Sequence, residues 1–190
     1  GLVGSEMCIR DRLPLDGFIH ADCPHYWKFG KEGETEEEFS KRMANNLEKL
    51  ILEEGADTIA GFVAEPVQGA GGVIPPSINY FDLIQPILKK YDIPLVADEV
   101  ICGFGRTGNL WGCETYNIKP DIIISSKCLT AGYFPMGAVI VNKDFADEFA
   151  SVSEDAEEFP HGFTAGGHPV GCAIALKAID VIINEGLLDN

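Results

Sequence analysis

The sequence has few basic residues, no long apolar run and no paired cysteines, and each of these absences excludes a class of protein. Lys and Arg number 14 against 30 Asp and Glu, so the formal net charge is −16. Such a charge repels phosphate backbones and anionic membrane surfaces, so we expect no nucleic acid partner and no membrane association. Apolar stretches such as TIAGFVAEPVQGAGGVI are interrupted by Glu65 and Pro66 well before the roughly 18 apolar residues of a membrane span.

The six cysteines are scattered and include no CxxC pair, and the chain has only four histidines. This usage is typical of reduced thiols, so we expect a cytoplasmic protein without a metal site. A length of 190 residues, 46% of them hydrophobic, is ordinary for about one globular domain.

The two ends of the chain indicate a fragment. The first residues, GLVGSEMCIRDR, lack the apolar segment of a signal peptide. They resemble a spurious leader produced by adapter read-through, so we expect 1–12 to be artefactual and 13–190 to be genuine. The last residues stop just past a predicted helix, which indicates that further structure follows in the intact protein.

Strands and helices alternate along the rest of the sequence. The segment GETEEEFSKRMANNLEKLILEEG has helical apolar spacing, and Thr35 with Glu38 forms a capping-box pattern. Two more helices are predicted in SINYFDLIQPILKKYD, where Pro86 is unfavourable, and in GHPVGCAIALKAIDVIINEG. Short apolar stretches predict a strand buried on both faces in TIAGFVAEP, a further buried strand in IPLVADEV, and two more strands in PDIIISS and MGAVIV. This alternation predicts a mainly parallel α/β sheet flanked by helices.

Chemically capable residues follow three of the predicted strands, in AEPVQG, ADEV and SSKCLTAGYFPMG. Lys127 leaves an apolar strand directly, and a lysine held in apolar surroundings can present the neutral amine that attacks a carbonyl. Asp98 ends the preceding strand, and Glu99 should point to its other side. A lysine and a carboxylate in this relation are the groups that hold pyridoxal phosphate (PLP). The alternative is a lysine that simply extends its charge into solvent at a strand end.

Four longer blocks resemble class III PLP-dependent aminotransferases of fold type I. They are EPVQGAGGVIPP, ADEVICGFGRTGNLWG, PDIIISSKCLTAGYFPMGAV and EFPHGFTAGGHPVGCAIALKAIDV, in family order and spacing. The likeness is strongest to the ω-transaminase, or amine:pyruvate aminotransferase, branch. It implies that 13–190 is a partial PLP-binding large domain whose small C-terminal domain is missing, and that the enzyme transfers an amino group between an amine or ω-amino acid and a keto acid such as pyruvate.

The resemblance also implies site residues, position by position. Lys127 matches the lysine that forms the internal aldimine, and Asp98 matches the aspartate on the pyridine nitrogen. Val100 matches the residue that packs against the cofactor ring. Thr164 matches a threonine that reaches the cofactor phosphate of the neighbouring subunit, which implies a homodimer with shared active sites.

Two positions depart from the common family pattern. Ile101 stands where many members have a Gln that contacts the phenolic oxygen of the cofactor. Ala70 stands where ornithine- and 4-aminobutyrate-using branches have an acidic residue, which disfavours those two substrates. Alternatives within the fold are a decarboxylase or an aminomutase, and alternatives outside catalysis are an inert fragment or an α/β binding protein.

Overall fold

The computed structural model describes residues 17–156 and 161–189. The expected leader, 1–12, lies outside these residues, so the predicted domain boundary stays a prediction. The helices of the described part are α1 (Tyr26–Phe29), α2 (Glu36–Glu54), α3 (Tyr80–Lys90), α4 (Gly112–Thr115), α5 (Lys143–Ala156) and α6 (Pro169–Asn184). The strands are β1 (Phe62–Ala64), β2 (Leu95–Asp98), β3 (Ile122–Ser125) and β4 (Ala138–Val141).

The predicted capping box starts α2. The Thr35 hydroxyl accepts a hydrogen bond from the Glu38 backbone N–H at 3.3 Å, and Glu38 Oε2 accepts one from the Thr35 N–H at 2.9 Å. These two bonds satisfy amides that the first helical turn leaves unpaired. The helix ends where Gly55 adopts a φ of 89°, which a residue with a side chain rarely tolerates.

The four strands form one sheet in the order β1-β2-β3-β4. The first three strands are parallel, with Ala64 opposite Ala97 and Asp98 opposite Ile124. Strand β4 runs antiparallel to β3, with Ser125 opposite Ala138. The prediction of a mainly parallel α/β sheet is therefore confirmed.

The main core lies where α2 and α3 pack on the sheet. Phe39 of α2 and Ile84 of α3 are both 0% exposed, and Leu95 and Ala97 of β2 pack beside them. A second, smaller cluster joins Phe104, Leu129 and Ala175. It ties the segment after β2 and the segment after β3 to α6, so the second cluster holds together the region in which the predicted site residues lie.

Three details differ from the expectations. Helix α3 continues through Pro86, because packing of its buried face outweighs the lost backbone hydrogen bond. Val63 in β1 is 56% exposed, so this strand is not buried on both faces. Helix α5 was not predicted at all. Within the described residues, no helix is both long and apolar enough to cross a membrane.

Candidate active site

The register of the sheet brings Asp98 and Lys127 to the same edge. Asp98 is the last residue of β2 and pairs with Ile124 of β3. Lys127 follows two residues after Ser125, where β3 ends. Parallel strands share the edge at which they end, and open α/β sheets bind ligands beyond that edge. The predicted amine and the predicted carboxylate therefore leave neighbouring strands side by side.

Lys127 has an unusual backbone conformation. It opens a 3₁₀ turn, Lys127–Leu129, with a φ of 42°. A positive φ is uncommon for a residue with a side chain, costs about 1–3 kcal/mol, and tends to occur at functional sites. The side chain is exposed in this chain, as in the alternative of a lysine that extends into solvent at a strand end.

The segment 126–136, which we call the lysine loop, is closed by its own hydrogen bonds. Ser126 Oγ donates to the Met136 carbonyl at 2.9 Å, and the buried Thr130 hydroxyl donates to the Phe134 carbonyl at 2.6 Å. Leu129 anchors the loop to α6 by packing in the second cluster. The base of the loop is thus held in place while Lys127 stays accessible.

Asp98 and Val100 are both half-buried at the end of β2. The Val100 N–H donates to Asp98 Oδ1 at 3.0 Å. This bond orients the carboxylate and leaves Oδ2 without a hydrogen bond to any described residue. The arrangement can offer a ligand one carboxylate oxygen beside an apolar side chain.

Glu99 points to the other side of the strand, as predicted, but its role was not foreseen. It is 0% exposed, and its carboxylate accepts hydrogen bonds from the Gly112 N–H at 3.0 Å and the Cys113 N–H at 2.6 Å. Burial, and then the hydrogen bond to Glu99, raise the pKa of the Cys113 thiol well above its usual range. The sequence does contain a signal for this buried role, because Glu99 continues the core-facing alternation of Leu95 and Ala97.

No hydrogen bond within the described residues joins Thr164 to Asp98 or to Lys127. It is exposed, in a turn that precedes α6. The ring of His168, just before α6, lies 5.3 Å from the ring of Phe134 in the lysine loop. This contact ties the segment that follows Thr164 to the lysine loop.

The two departures from the family pattern occupy the loop after β1 and the turn after β2. Glu65 Oε2 accepts the Gly69 N–H at 2.8 Å and shapes the first of these. The Ile101 side chain packs so closely on Gly69 that a Cβ there would clash with Ile101 Cδ1. Ile101 therefore makes an apolar contact with the loop, while Ala70 is exposed beyond it.

The structure describes five cysteines, all of which are free. No group of three or more His, Cys, Asp and Glu side chains that could hold a metal ion occurs in 17–156 or 161–189.

Comparison with known proteins gives consistent matches across the chain. The sequence profile described as Aminotransferase class-III matches residues 15–190. An omega-aminotransferase from Paracoccus denitrificans has 64% sequence identity and a TM-score of 0.91, covering 100% of this chain and 41% of that one. An omega-transferase from Vibrio fluvialis JS17 has 63% identity and a TM-score of 0.89, covering 100% and 44%. The curated gamma aminobutyrate transaminase 3, chloroplastic, of Solanum lycopersicum is 56% identical over 177 residues, which are 93% of this chain and 34% of the relative.

This chain spans less than half the length of each of these relatives. The superpositions confirm the predicted α/β fold of type I, and the profile match confirms the resemblance that the four sequence blocks indicated. The chain belongs to the class III aminotransferase family.

Proposed function

We propose that this chain supplies the lysine and the aspartate of a PLP-dependent transaminase. The enzyme would transfer an amino group between an amine or ω-amino acid and a keto acid such as pyruvate. The observation that carries the proposal is the register of β2 and β3, which brings Asp98 and Lys127 to one edge of the sheet. Family membership supports the reaction class.

The residues at this edge fit PLP in their chemistry. An accessible amine suits an aldehyde, and the free Oδ2 of Asp98 suits a protonated ring nitrogen. Val100, on the same side of the chain as Asp98, offers an apolar contact for a ring. When bound, PLP supplies an electron-accepting ring that stabilises negative charge on the substrate carbon. Two Vibrio fluvialis aminotransferase structures are described as PMP-bound and PLP-bound, with 63% identity to this chain.

Each residue then has a defined task. Asp98 keeps a proton on the ring nitrogen through an ion pair, which maintains the electron demand of the ring. Lys127 would hold the aldehyde of the cofactor, and its Nζ, as a free amine, would take the proton from the substrate carbon as a base and give it up again as an acid. Val100 would offer the ring an apolar contact.

A homodimer with shared sites is part of the proposal. Thr164 would reach the cofactor phosphate of a second copy of the chain. Phe163 next to it is 72% exposed and Tyr133 in the lysine loop is 83% exposed. Such large aromatic side chains are typical of surfaces that become buried between subunits.

The substrates are small amines and keto acids, and two observations bear on the choice between them. Ala70 lacks the acidic group that 4-aminobutyrate-using branches have at this position, yet curated relatives are named gamma aminobutyrate transaminases. Comparing 4-aminobutyrate with a simple aralkyl amine as donor, with pyruvate as acceptor, distinguishes the two branches. The scattered cysteines support a cytoplasmic location. The relatives do not add to this proposal, because some of them have chloroplastic and mitochondrial names.

The test is Lys127→Ala in the full-length protein, with Lys143→Ala as the control because Lys143 is an exposed lysine away from the strand edge. The wild type and the control should show the visible absorbance of bound PLP, fixed to the protein by borohydride, and should transaminate. Lys127→Ala should lose the fixation and the transfer. Retention of both in Lys127→Ala would refute the assignment.

The same experiment separates the alternatives. Cofactor fixation at Lys127 without amino transfer to any keto acid would favour a decarboxylase or an aminomutase. The absence of both from the wild-type full-length protein would favour a non-catalytic α/β binding protein.

A further inference from the structure

Glu99 is a buried carboxylate that the proposed reaction does not use. It follows Asp98 directly and is 0% exposed, whereas Asp98 is half-buried on the other side of the strand. Burying a carboxylate is costly unless hydrogen bonds compensate it. Its two oxygens accept one backbone N–H each, from the consecutive residues Gly112 and Cys113. The side chain therefore holds the backbone at the start of α4 in place.

The main chain of Glu99 is held as firmly as its side chain. Its N–H donates to the Ile124 carbonyl of β3 at 2.9 Å, and its carbonyl accepts the Gly103 N–H at 2.8 Å. Ile124 is also the residue paired with Asp98, and Lys127 follows three residues later. One residue thus connects the end of β2, the end of β3 and the start of α4.

The surroundings leave Glu99 little room to shift. A Cβ added to Gly112 would lie 2.8 Å from Cys102 Cβ, 2.9 Å from Pro66 Cβ and 3.2 Å from Glu99 Oε2. The N–H that reaches the carboxylate can approach so closely because Gly112 has no side chain. Pro66 belongs to the loop after β1 and is itself buried, so the loop after β1 and the turn after β2 both pack against Gly112 beside this carboxylate.

We propose that Glu99 is a positioning residue, which acts through the backbone to fix Asp98 relative to Lys127. The inference rests on the proposed function, because it concerns the geometry of that site. Glu99 contacts neither substrate nor cofactor. By holding the turn after Asp98 to α4 and to β3, it would set the distance between the Asp98 carboxylate and the Lys127 amine.

The test is Glu99→Gln in the full-length holoenzyme, with Glu114→Gln as the matched control. Glu114 accepts the Trp111 N–H at 2.9 Å in the same turn, but it is exposed and contacts a different amide. Both variants make the same chemical change. Only Glu99→Gln replaces a buried acceptor by an amide whose NH₂ group would face a backbone donor.

We expect Glu99→Gln to lower kcat by about tenfold to a hundredfold, the effect of misplacing reacting groups by about 1 Å. The KM for the amine should stay near the wild-type value, and the visible circular dichroism of the bound cofactor should change in sign or size. Glu114→Gln should match the wild type in all three. A Glu99→Gln protein that only unfolds at a lower temperature, with wild-type kcat and dichroism once folded, would overturn the inference.

Glu99→Asp covers the case in which Glu99→Gln does not fold. The shorter side chain keeps the charge but cannot reach both amides, so the same loss of kcat and change in dichroism are expected in weaker form. If neither variant folds, or if Glu99→Asp has the kcat and the visible circular dichroism of the wild type, then Glu99 contributes to folding alone. A wild-type enzyme that neither binds PLP nor transfers amino groups would instead remove the proposed function, which separates the two failures.

Discussion

Gly171→Ala in α6 should have two opposing effects on stability, a gain in helix propensity and a steric clash. Alanine favours a helix interior over glycine by about 1 kcal/mol. The new methyl group, however, would lie 2.8 Å and 2.9 Å from two ring carbons of Phe134 in the lysine loop. Contacts this short force the ring to retreat by about half an ångström, and overpacking of this kind costs about 1–3 kcal/mol. We therefore expect a net loss of roughly 0–2 kcal/mol of unfolding free energy.

The displaced ring should also disturb the cofactor site, because Phe134 lies in the same loop as Lys127. The assays are urea unfolding and the dissociation constant for PLP, measured on the full-length protein. Phe134→Leu is the matched variant, because its smaller side chain removes the clash with residue 171. In the Phe134→Leu protein, Gly171→Ala should therefore raise the free energy of unfolding by the full difference in helix propensity. A double-mutant cycle measures this coupling directly. The reasoning is refuted if Gly171→Ala alone stabilises the protein by about 1 kcal/mol with unchanged PLP affinity.

Two further predictions concern stability. Phe39→Ala removes a side chain that is 0% exposed, and it should lower the free energy of unfolding in urea by about 3–5 kcal/mol. Leu52→Ala, at a 61% exposed site of the same helix, should change that free energy by less than about 0.5 kcal/mol. Equal effects of the two variants would contradict the described core. Hydrogen bonds from Arg42 lower the pKa of Glu34 from 4.5 to about 2, so the stability that the ionised Glu34 gives is complete above about pH 4.5 and is lost as the pH falls toward 2. Comparing urea midpoints at pH 5 and pH 3 should show a larger acid loss in the wild type than in Glu34→Gln, and identical losses would exclude this ion pair as a source of acid sensitivity.

The elements that local patterns specify were predicted well. The capping box at Thr35 and Glu38 is a contact within one helical turn, so the sequence contains all of its information. The four strands were found because a short apolar run between turn residues is typical of a buried strand. The common edge of Asp98 and Lys127 followed from the parallel topology.

Features that depend on distant contacts could not be predicted in the same way. Helix α5, Lys143–Ala156, was not among the predicted elements. The exposure of Val63 depends on what packs over β1, which no local pattern contains. The role of Glu99 was missed because its partners, Gly112 and Cys113, come from a turn more than ten residues away. The roles of Val100 and Thr164 came only from the family resemblance, and the roles of all four site residues, Lys127 and Asp98 included, stay predictions.

The antiparallel pairing of β4 with β3 has a consequence for how the site assembles during folding. The lysine loop joins two strands that are neighbours in both sequence and space, so closing it costs little chain entropy. The pairing of β2 with β3 spans a longer crossover that includes α4, and such non-local pairings form more slowly. In refolding, we expect the hairpin that carries Lys127 to form before Asp98 arrives beside it, so that cofactor binding should recover later than the hairpin itself.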